Sequence, residues 1–429
     1  MVLIDFKQTE ISLIPEDWGV VKLGEECEVF SGYAFKSKDF TSQGILVVKI
    51  GNLQDGTIVL DKRTSFYPSE KLRDAQLGKY ILKEGDILIA LTGATTGKIA
   101  KVPKEFEGSL LNQRVGKFEI FGVRLVKDFG RHFFTSSYFQ NKIQDSILRS
   151  AQGNVSPKQI ANLKIPLPPL EEQQKIARIL STIQHAVEHQ DKIIEAVRKL
   201  KKSLLHKLFT EGLNGEEQKE TGMGRVQKSW DVVRLGNVVD FTKKPGTLNL
   251  SDFRKIPFIP MEMIPLEKLY INDHLLKSSK EITSGVYCEK GDILLAKITP
   301  SFENGKQGII ENIPHDFAFA TTEVYPLKPR NNLDKLFLFY FLIKSDVREA
   351  IAGKMQGTTG RKRVPKEAVE NTLIPLPSLE EQQQIAHILS TVDKKIEIEE
   401  RRKITLKELF KTMLHKLMSG EIRLKGVEI

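Results

Sequence analysis

The chain has 429 residues, 40% of them hydrophobic and 28% charged, a balance that excludes wholesale disorder and favours two to four folded domains. Its net charge of +10 and pI near 9.2 favour a polyanionic partner, nucleic acid ahead of a membrane surface, with a merely basic soluble protein as the alternative from charge alone. No apolar run approaches the roughly 18 to 20 residues of a membrane helix, no signal peptide is apparent, and two cysteines are too few for a disulfide framework, so a cytoplasmic protein is expected.

Taken in chain order, Trp18-Gly-Val-Val-Lys-Leu-Gly24 reads as a short entry strand. Ile45-Leu-Val-Val-Lys-Ile50 and Ile87-Leu-Ile-Ala-Leu91 read as interior strands, the second entered through a Gly85-Asp86 turn. The apolar stretch 133–148 reads as buried helix. Ile165-Pro-Leu-Pro-Pro-Leu-Glu-Glu-Gln-Gln174 then holds the chain extended before Glu171-Glu172 place negative charge at a helix start. Over 170–213 one row of heptad positions runs Leu180, Val187, Ile194, Lys201 and Leu208. A second row runs Ile176, Ile183, Gln190, Val197 and Leu204. Five heptads make a coiled-coil seam.

Nearly the same series then returns. Trp230-Asp-Val-Val-Arg-Leu-Gly236 echoes the first entry strand, and Glu289-Lys-Gly-Asp-Ile-Leu-Leu-Ala296 echoes the turn and interior strand. Leu336-Phe-Leu-Phe-Tyr-Phe-Leu-Ile343 reads as helix from its charged flanks. Ile374-Pro-Leu-Pro-Ser-Leu-Glu-Glu-Gln-Gln383 opens a second heptad segment, with Ser378 and Glu381 placed for a capping box. Its rows are Leu389, Ile396, Lys403, Phe410 and Leu417, with Ile385, Val392, Glu399, Leu406 and Met413. Gly212 and Gly420 are the expected helix stops.

The chain is therefore an internal repeat. The class expected is α+β: two similar mixed α/β domains, 1–165 and 214–374, and two long helical segments, 166–213 and 375–429. The helices are expected to pack as an antiparallel coiled coil with pseudo-two-fold repetition. Lys201 and Glu399, which interrupt the apolar rows, are expected to face each other. Between the shared anchors the halves differ almost completely, the pattern of one scaffold carrying two specificities.

No catalytic constellation emerges. Gly93-Ala-Thr-Thr-Gly97-Lys98-Ile99 has three residues between its glycines where a phosphate loop has four, and Ile99 stands where the magnesium-binding hydroxyl belongs. Phe30-Ser-Gly32-Tyr-Ala lacks the second glycine of an adenosylmethionine site. His185 and His189 sit one helical turn apart without further metal ligands. No cofactor or metal is expected on this chain.

Polar and basic loops are the candidates for DNA contact. Tyr33, Lys36 and Lys38 form one group; Thr92, Thr95, Thr96 and Lys98 form another. Asn112, Gln113 and Arg114 supply donors and acceptors suited to adenine and guanine edges. In the second half the candidates are Lys243 and Lys244, then Gln356, Thr358, Thr359, Arg361, Lys362 and Arg363. A solvated loop is the plain alternative for any one cluster; recurrence in both halves favours DNA.

With its two Ile-Pro-Leu-Pro-x-Leu-Glu-Glu-Gln-Gln motifs, heptad helices and divergent modules, the chain resembles the specificity subunit of type I restriction-modification systems over essentially its full length. The resemblance implies two target-recognition domains, each reading half of a bipartite duplex DNA site, and helices that set the gap between the halves. It implies partners as well: two modification subunits that methylate adenine with adenosylmethionine, and restriction subunits that use ATP and magnesium. A coiled-coil adaptor for proteins, or a component of a fused restriction-methylation enzyme, are the alternatives.

Overall fold

The computed structural model describes residues 5–54, 56–62, 64–72, 77–148, 153–358 and 360–428. The chain divides into two compact units, Met1–His189 with Lys403–Ile429, and Gln190–Arg402. Among the described residues there are eight α-helices: α1 (Lys127–Thr135), α2 (Ser137–Leu148), α3 (Pro157–Ala161), α4 (Leu170–Thr210), α5 (Lys335–Ile343), α6 (Ser345–Ala352), α7 (Lys366–Glu370) and α8 (Leu379–Met418). Helices α4 and α8 contribute a stretch to each unit. Among the described residues no helix is long and apolar enough to cross a membrane.

In the first unit an antiparallel sheet runs in the order Ile99–Lys101, Ile87–Ala90, Val115–Ile120, Cys27–Ser31. A second sheet joins Ile45–Val48 in parallel to Leu110–Leu111 and antiparallel to Ser65–Tyr67. All four residues of Ile87–Ala90 are buried, as their unbroken apolar sequence requires. The preceding turn depends on Gly85 at φ +80° and on Asp86, whose Oδ2 accepts from Lys83 N at 2.9 Å. The expected single helix over 133–148 is two helices. Ser136 is extended between them, its hydroxyl donating to Phe133 O (2.6 Å) and accepting from Phe139 N (3.3 Å).

The second unit repeats this wiring with additions. Its sheet order is Val239–Phe241, Val324–Pro329, Ile293–Ala296, Gln307–Ile310, with Tyr270–Ile271 added at the edge. Its second sheet again has a parallel pair, Ile256–Ile259 with Phe317–Ala320. Gly291 (φ +94°) and Asp292 Oδ2, accepting from Glu289 N at 2.8 Å, rebuild the same turn. Helix α5 is apolar all round because Phe337 to Leu342 are all buried, and Asp334 caps it by accepting from Phe337 N at 2.9 Å.

The two motifs that recur most faithfully bind each other. Gly19–Lys22 pairs antiparallel with Lys164–Leu167, and Asp231–Arg234 pairs with Leu373–Leu376. The buried Trp18 donates from Nε1 to Glu172 Oε2 at 3.0 Å, and Trp230 does the same to Glu381 Oε2 at 3.0 Å. Gln173 has no exposed surface. Its Oε1 accepts from Val126 N, the cap of α1 (2.9 Å), and its Nε2 donates to the carbonyls of Arg124 and Pro168 (both 2.8 Å). Gln382 repeats the set with Asp334 N (2.8 Å), Asn332 O (3.1 Å) and Pro377 O (2.9 Å). One glutamine thus satisfies a free N–H at the start of a domain helix and ties it to the start of a long helix.

The capping box expected at Ser378 and Glu381 is half made. Ser378 Oγ accepts from Glu381 N at 3.3 Å, but the Glu381 carboxylate turns to Trp230. In the first unit Glu172 also accepts from Arg423 Nε (2.8 Å) and Leu424 N (3.0 Å). Burial raises its pKa, yet these donors together with Trp18 overcome that and hold the carboxyl below its ordinary range. Both helix stops are glycines at positive φ, +68° at Gly212 and +74° at Gly420. A Cβ on Gly212 would lie 1.8 Å from Gln227 Oε1, so a larger residue would have to displace the end of that side chain as well as adopt a left-handed φ.

Each unit shows the helix orientation independently. In the first, Ile176, Ala177 and Leu180 share a core with Leu414, Leu417 and Met418. In the second, Leu204 and Leu208 share one with Ile385, Ala386 and Leu389. The start of each helix meets the end of the other, so the expected antiparallel packing is the observed one. All sixteen apolar seam positions are buried or half-buried: Ile176, Leu180, Ile183, Val187, Ile194, Val197, Leu204, Leu208, Ile385, Leu389, Val392, Ile396, Leu406, Phe410, Met413 and Leu417. The expected Lys201–Glu399 encounter does not occur. Gln190 Nε2 donates to Glu399 Oε2 (2.6 Å), while Lys201 pairs with Asp393 (2.5 Å), which also accepts from Tyr340 OH (2.7 Å). Lys201 lies eleven residues beyond Gln190, about three turns, so the register that brings Gln190 to Glu399 carries Lys201 to Asp393 instead.

Gln173→Leu leaves buried N–H and C=O groups without partners, at a cost of about 3 kcal/mol; the denaturant midpoint of the first unit should fall accordingly. His132 on α1 is buried, bonded to Ser181 Oγ at 3.0 Å, and burial, with Lys101 adding, pushes its pKa down to about 4 from 6.5. The unfolded chain therefore binds a proton that the folded one refuses. Stability is full above pH 6.5 and declines as pH falls from there to about 4, by about 3 kcal/mol. In His132→Gln that decline should disappear from a pH series of unfolding curves.

Candidate nucleic-acid interface

The antiparallel order of each main sheet delivers three loops to one end. In the first unit Ser31 pairs with Gly116, Ala90 with Val115, and Ile89 with Ile99. Loops 32–38, 91–98 and 112–114 therefore leave the same sheet edge. In the second unit Phe241 pairs with Leu327, Ala296 with Val324, and Leu295 with Gln307, which gathers loops 242–246, 297–306 and 321–323 in the same way. Sequence-predicted candidates from separate stretches are thus neighbours by topology.

Tyr33 and Asn112 form a bridge: Tyr33 N donates to Leu111 O (2.8 Å) and Gln113 N to Tyr33 O (2.9 Å). The Tyr33 ring, 40% exposed, lies 5.5 Å from that of Tyr80. Gln113 and Arg114 are exposed beside it, whereas Asn112 is turned inward and spends Oδ1 on Arg114 N at 3.3 Å. Asn112 holds the loop's shape, and the exposed pair after it carries the free donors. Lys36 and Lys38 are exposed around the turn Ser37–Asp39.

The Gly93–Lys98 loop spends its two threonine hydroxyls on backbone carbonyls, one within the loop and one outside it. Thr96 Oγ1 donates to Gly93 O (2.6 Å) and Thr95 Oγ1 to Ile50 O (3.2 Å). The Thr92 hydroxyl is buried without a partner among the described residues. Lys98 is the exposed cation of this loop. In the second unit Lys243 and Lys244 are exposed. Gln356 and Arg363 are rungs of a hairpin, with N···O distances of 2.9 and 2.8 Å, whose tip exposes Thr358, Arg361 and Lys362. Thr359 lies outside the described residues.

Sequence reasoning missed Glu323. Its carboxylate receives Arg363 Nε and Nη2, both at 2.8 Å, and the guanidinium holds that carboxyl below its usual range. It also missed Lys297, whose Nζ lies 4.8 Å from the centre of the Tyr325 ring and whose pKa is lowered by burial. Lys79, 5.1 Å from the Tyr80 ring centre, is a further omission, in the first unit. Aligning the repeated Gly-Asp-Ile-Leu strands would have drawn attention to Lys297, the residue that leaves the strand where Leu91 does.

The backbone makes that equivalence physical. Leu91 N donates to Arg114 O (3.0 Å) and Val155 N to Leu91 O (3.0 Å). Lys297 N donates to Glu323 O (3.0 Å) and Val364 N to Lys297 O (2.8 Å). One three-way junction thus carries Arg114 and Asn154 in the first unit, Glu323 and Arg363 in the second.

Comparison with known proteins accords with this plan. The family model described as type I restriction modification DNA specificity domain matches the chain twice, over residues 15–199 and 227–408. The type I restriction enzyme MjaVIII specificity subunit of Methanocaldococcus jannaschii is 27% identical over 450 residues, covering 99% of this chain and 97% of that one. Two solved structures share the fold. One comes from work on complex assembly and conformational transition of the type I R-M system, with TM-score 0.57 and 20% identity over 95% of this chain and 99% of that chain. The other is the type I restriction-modification system S subunit from M. genitalium, with TM-score 0.54 and 17% identity over 93% of this chain and 96% of that chain.

Proposed function

The chain belongs to the type I restriction-modification DNA specificity family, and from that premise we propose that it is the non-catalytic specificity subunit of such a system. The observation that carries this reading is the repetition of one scaffold with different donors at one junction. Two sheets that share one four-strand order bring loops to one edge, and those loops differ in charge and hydrogen-bonding groups. Each module reads one half of a bipartite duplex site, base edges by Gln113 and Arg114 or the 356–363 hairpin, phosphates by exposed lysines.

The helices supply the measure. With 41 and 40 residues, α4 and α8 are each about 60 Å long, against about 34 to 36 Å for a turn of duplex. Catalysis belongs to partners in the cytoplasm: two modification subunits carrying adenosylmethionine, and restriction subunits carrying ATP and magnesium. Exposed Leu200, Ile398, Ile404 and Leu409 lie off the seam and favour a protein partner on the helices. In the second unit a groove of about 1230 Å³, lined by residues such as Lys202, Tyr270, Lys394 and Glu397, adds to that surface.

Co-expression with the cognate modification subunit in a methylation-free host should place methyl-adenines within one split motif with a fixed gap, read by genome-wide mapping. A complex that assembles yet methylates no recurrent motif contradicts the reading. Inserting one heptad in each long helix should lengthen the gap by about three base pairs, since seven residues add about 10 Å. A gap unchanged by the matched insertion would remove the helices from the measurement. Insertion in one helix alone should abolish activity through mispaired seams.

A further inference from the structure

Most cations of the candidate interface sit on exposed side chains with no brace among the described contacts. Arg363 has one. Its backbone is fixed by the bridge to Gln356 on one side and to Ile298 on the other. Its guanidinium is gripped in plane by Glu323 through Nε and one Nη2 hydrogen, both contacts at 2.8 Å. Glu323 is itself fixed, its N–H reaching Thr321 Oγ1 (3.4 Å) and its carbonyl accepting from Lys297 N (3.0 Å). The Arg363 side chain nevertheless remains 52% exposed.

A guanidinium has five N–H groups, and Glu323 consumes two on one edge. The edge formed by Nη1 and the remaining Nη2 hydrogen stays unengaged by that grip. That is the edge geometry that donates in parallel to O6 and N7 of guanine. A side chain already held in one orientation loses little rotamer freedom on binding, and its planarity excludes bases that lack two acceptors there. Arg361 and Lys362, exposed at the hairpin tip, lack such a brace and suit phosphate contact.

We propose that Arg363 is the guanine-reading residue of the second module, with Glu323 as its positioning residue. This rests on the specificity-subunit reading above and names part of its target: one G·C pair in the half-site read by the second unit. At the equivalent junction the first module carries Arg114 and Asn154, with Asn154 Oδ1 accepting from Gly93 N at 3.4 Å. No carboxylate stands in the place of Glu323 there, so the same readout is not duplicated and the two half-sites differ.

The test is the methylation motif written by the assembled complex. Wild type should give a split motif with an invariant guanine in one half. Arg363→Ala and Arg363→Lys should make that single position degenerate, with discrimination falling on the order of tenfold to a hundredfold, while the other half stays unchanged. Glu323→Gln should loosen the same position and no other, a base-specific effect that a merely structural role would not produce. Arg361→Ala should lower affinity most at low salt, make binding less steeply salt-dependent, and leave the motif intact. A motif unchanged in both Arg363 variants, or degenerate elsewhere, overturns the proposal. So does loss of all methylation in Arg363→Lys, which keeps the charge. A wild-type complex without a split motif would defeat the underlying reading instead.

Discussion

Everything in each unit hangs on one short stretch at the start of a long helix, the Glu-Gln pairs Glu172-Gln173 and Glu381-Gln382. Each glutamate receives a buried indole N–H from the entry strand, and each glutamine closes three hydrogen bonds to the end of the sheet and to the first domain helix. These groups are buried, and unpaired they would each cost about 1 to 3 kcal/mol, so the arrangement is close to all-or-none. The same few atoms fix where a module stops, the direction in which its helix departs, and the placing of α1 or α5 against it.

This explains the distribution of repetition along the chain. The motif copies are nearly identical because both ends of the latch, tryptophan strand and Leu-Glu-Glu-Gln start, must fit one geometry twice. The loops at the far edge of each sheet have no such obligation. They keep only the backbone bonds of the three-way junction, through Leu91 or Lys297, and vary in the side chains they present. A scaffold rigid at the latch and permissive at the opposite edge is what two independent readings of a duplex require.

Much of the architecture was legible because it is periodic or local. The heptad rows gave the seam, the Gly-Asp turns gave the interior strands, and Gly212 and Gly420 marked the helix ends. What was misjudged depends on distant partners. Glu172 and Glu381 look like charges placed for a helix dipole until Trp18 and Trp230, about 150 residues away, are beside them. Lys201 and Glu399 look complementary, but the register that pairs Gln190 with Glu399 is set by packing along the whole seam. At the interface, residue type alone ranked Asn112 with Gln113 and Arg114, although its amide faces inward. Glu323 passed unnoticed because a single acid after two threonines gives no local sign of bracing an arginine forty residues on.

The latch can be observed directly, since the chain has two tryptophans and each belongs to one copy. In ¹H–¹⁵N spectra both indole N–H groups should exchange slowly with solvent. Glu172→Gln should move the Trp18 indole signal alone, and Glu381→Gln that of Trp230 alone. An indole that exchanges as freely as an exposed one, or a substitution that leaves its own tryptophan signal in place, would contradict the latch.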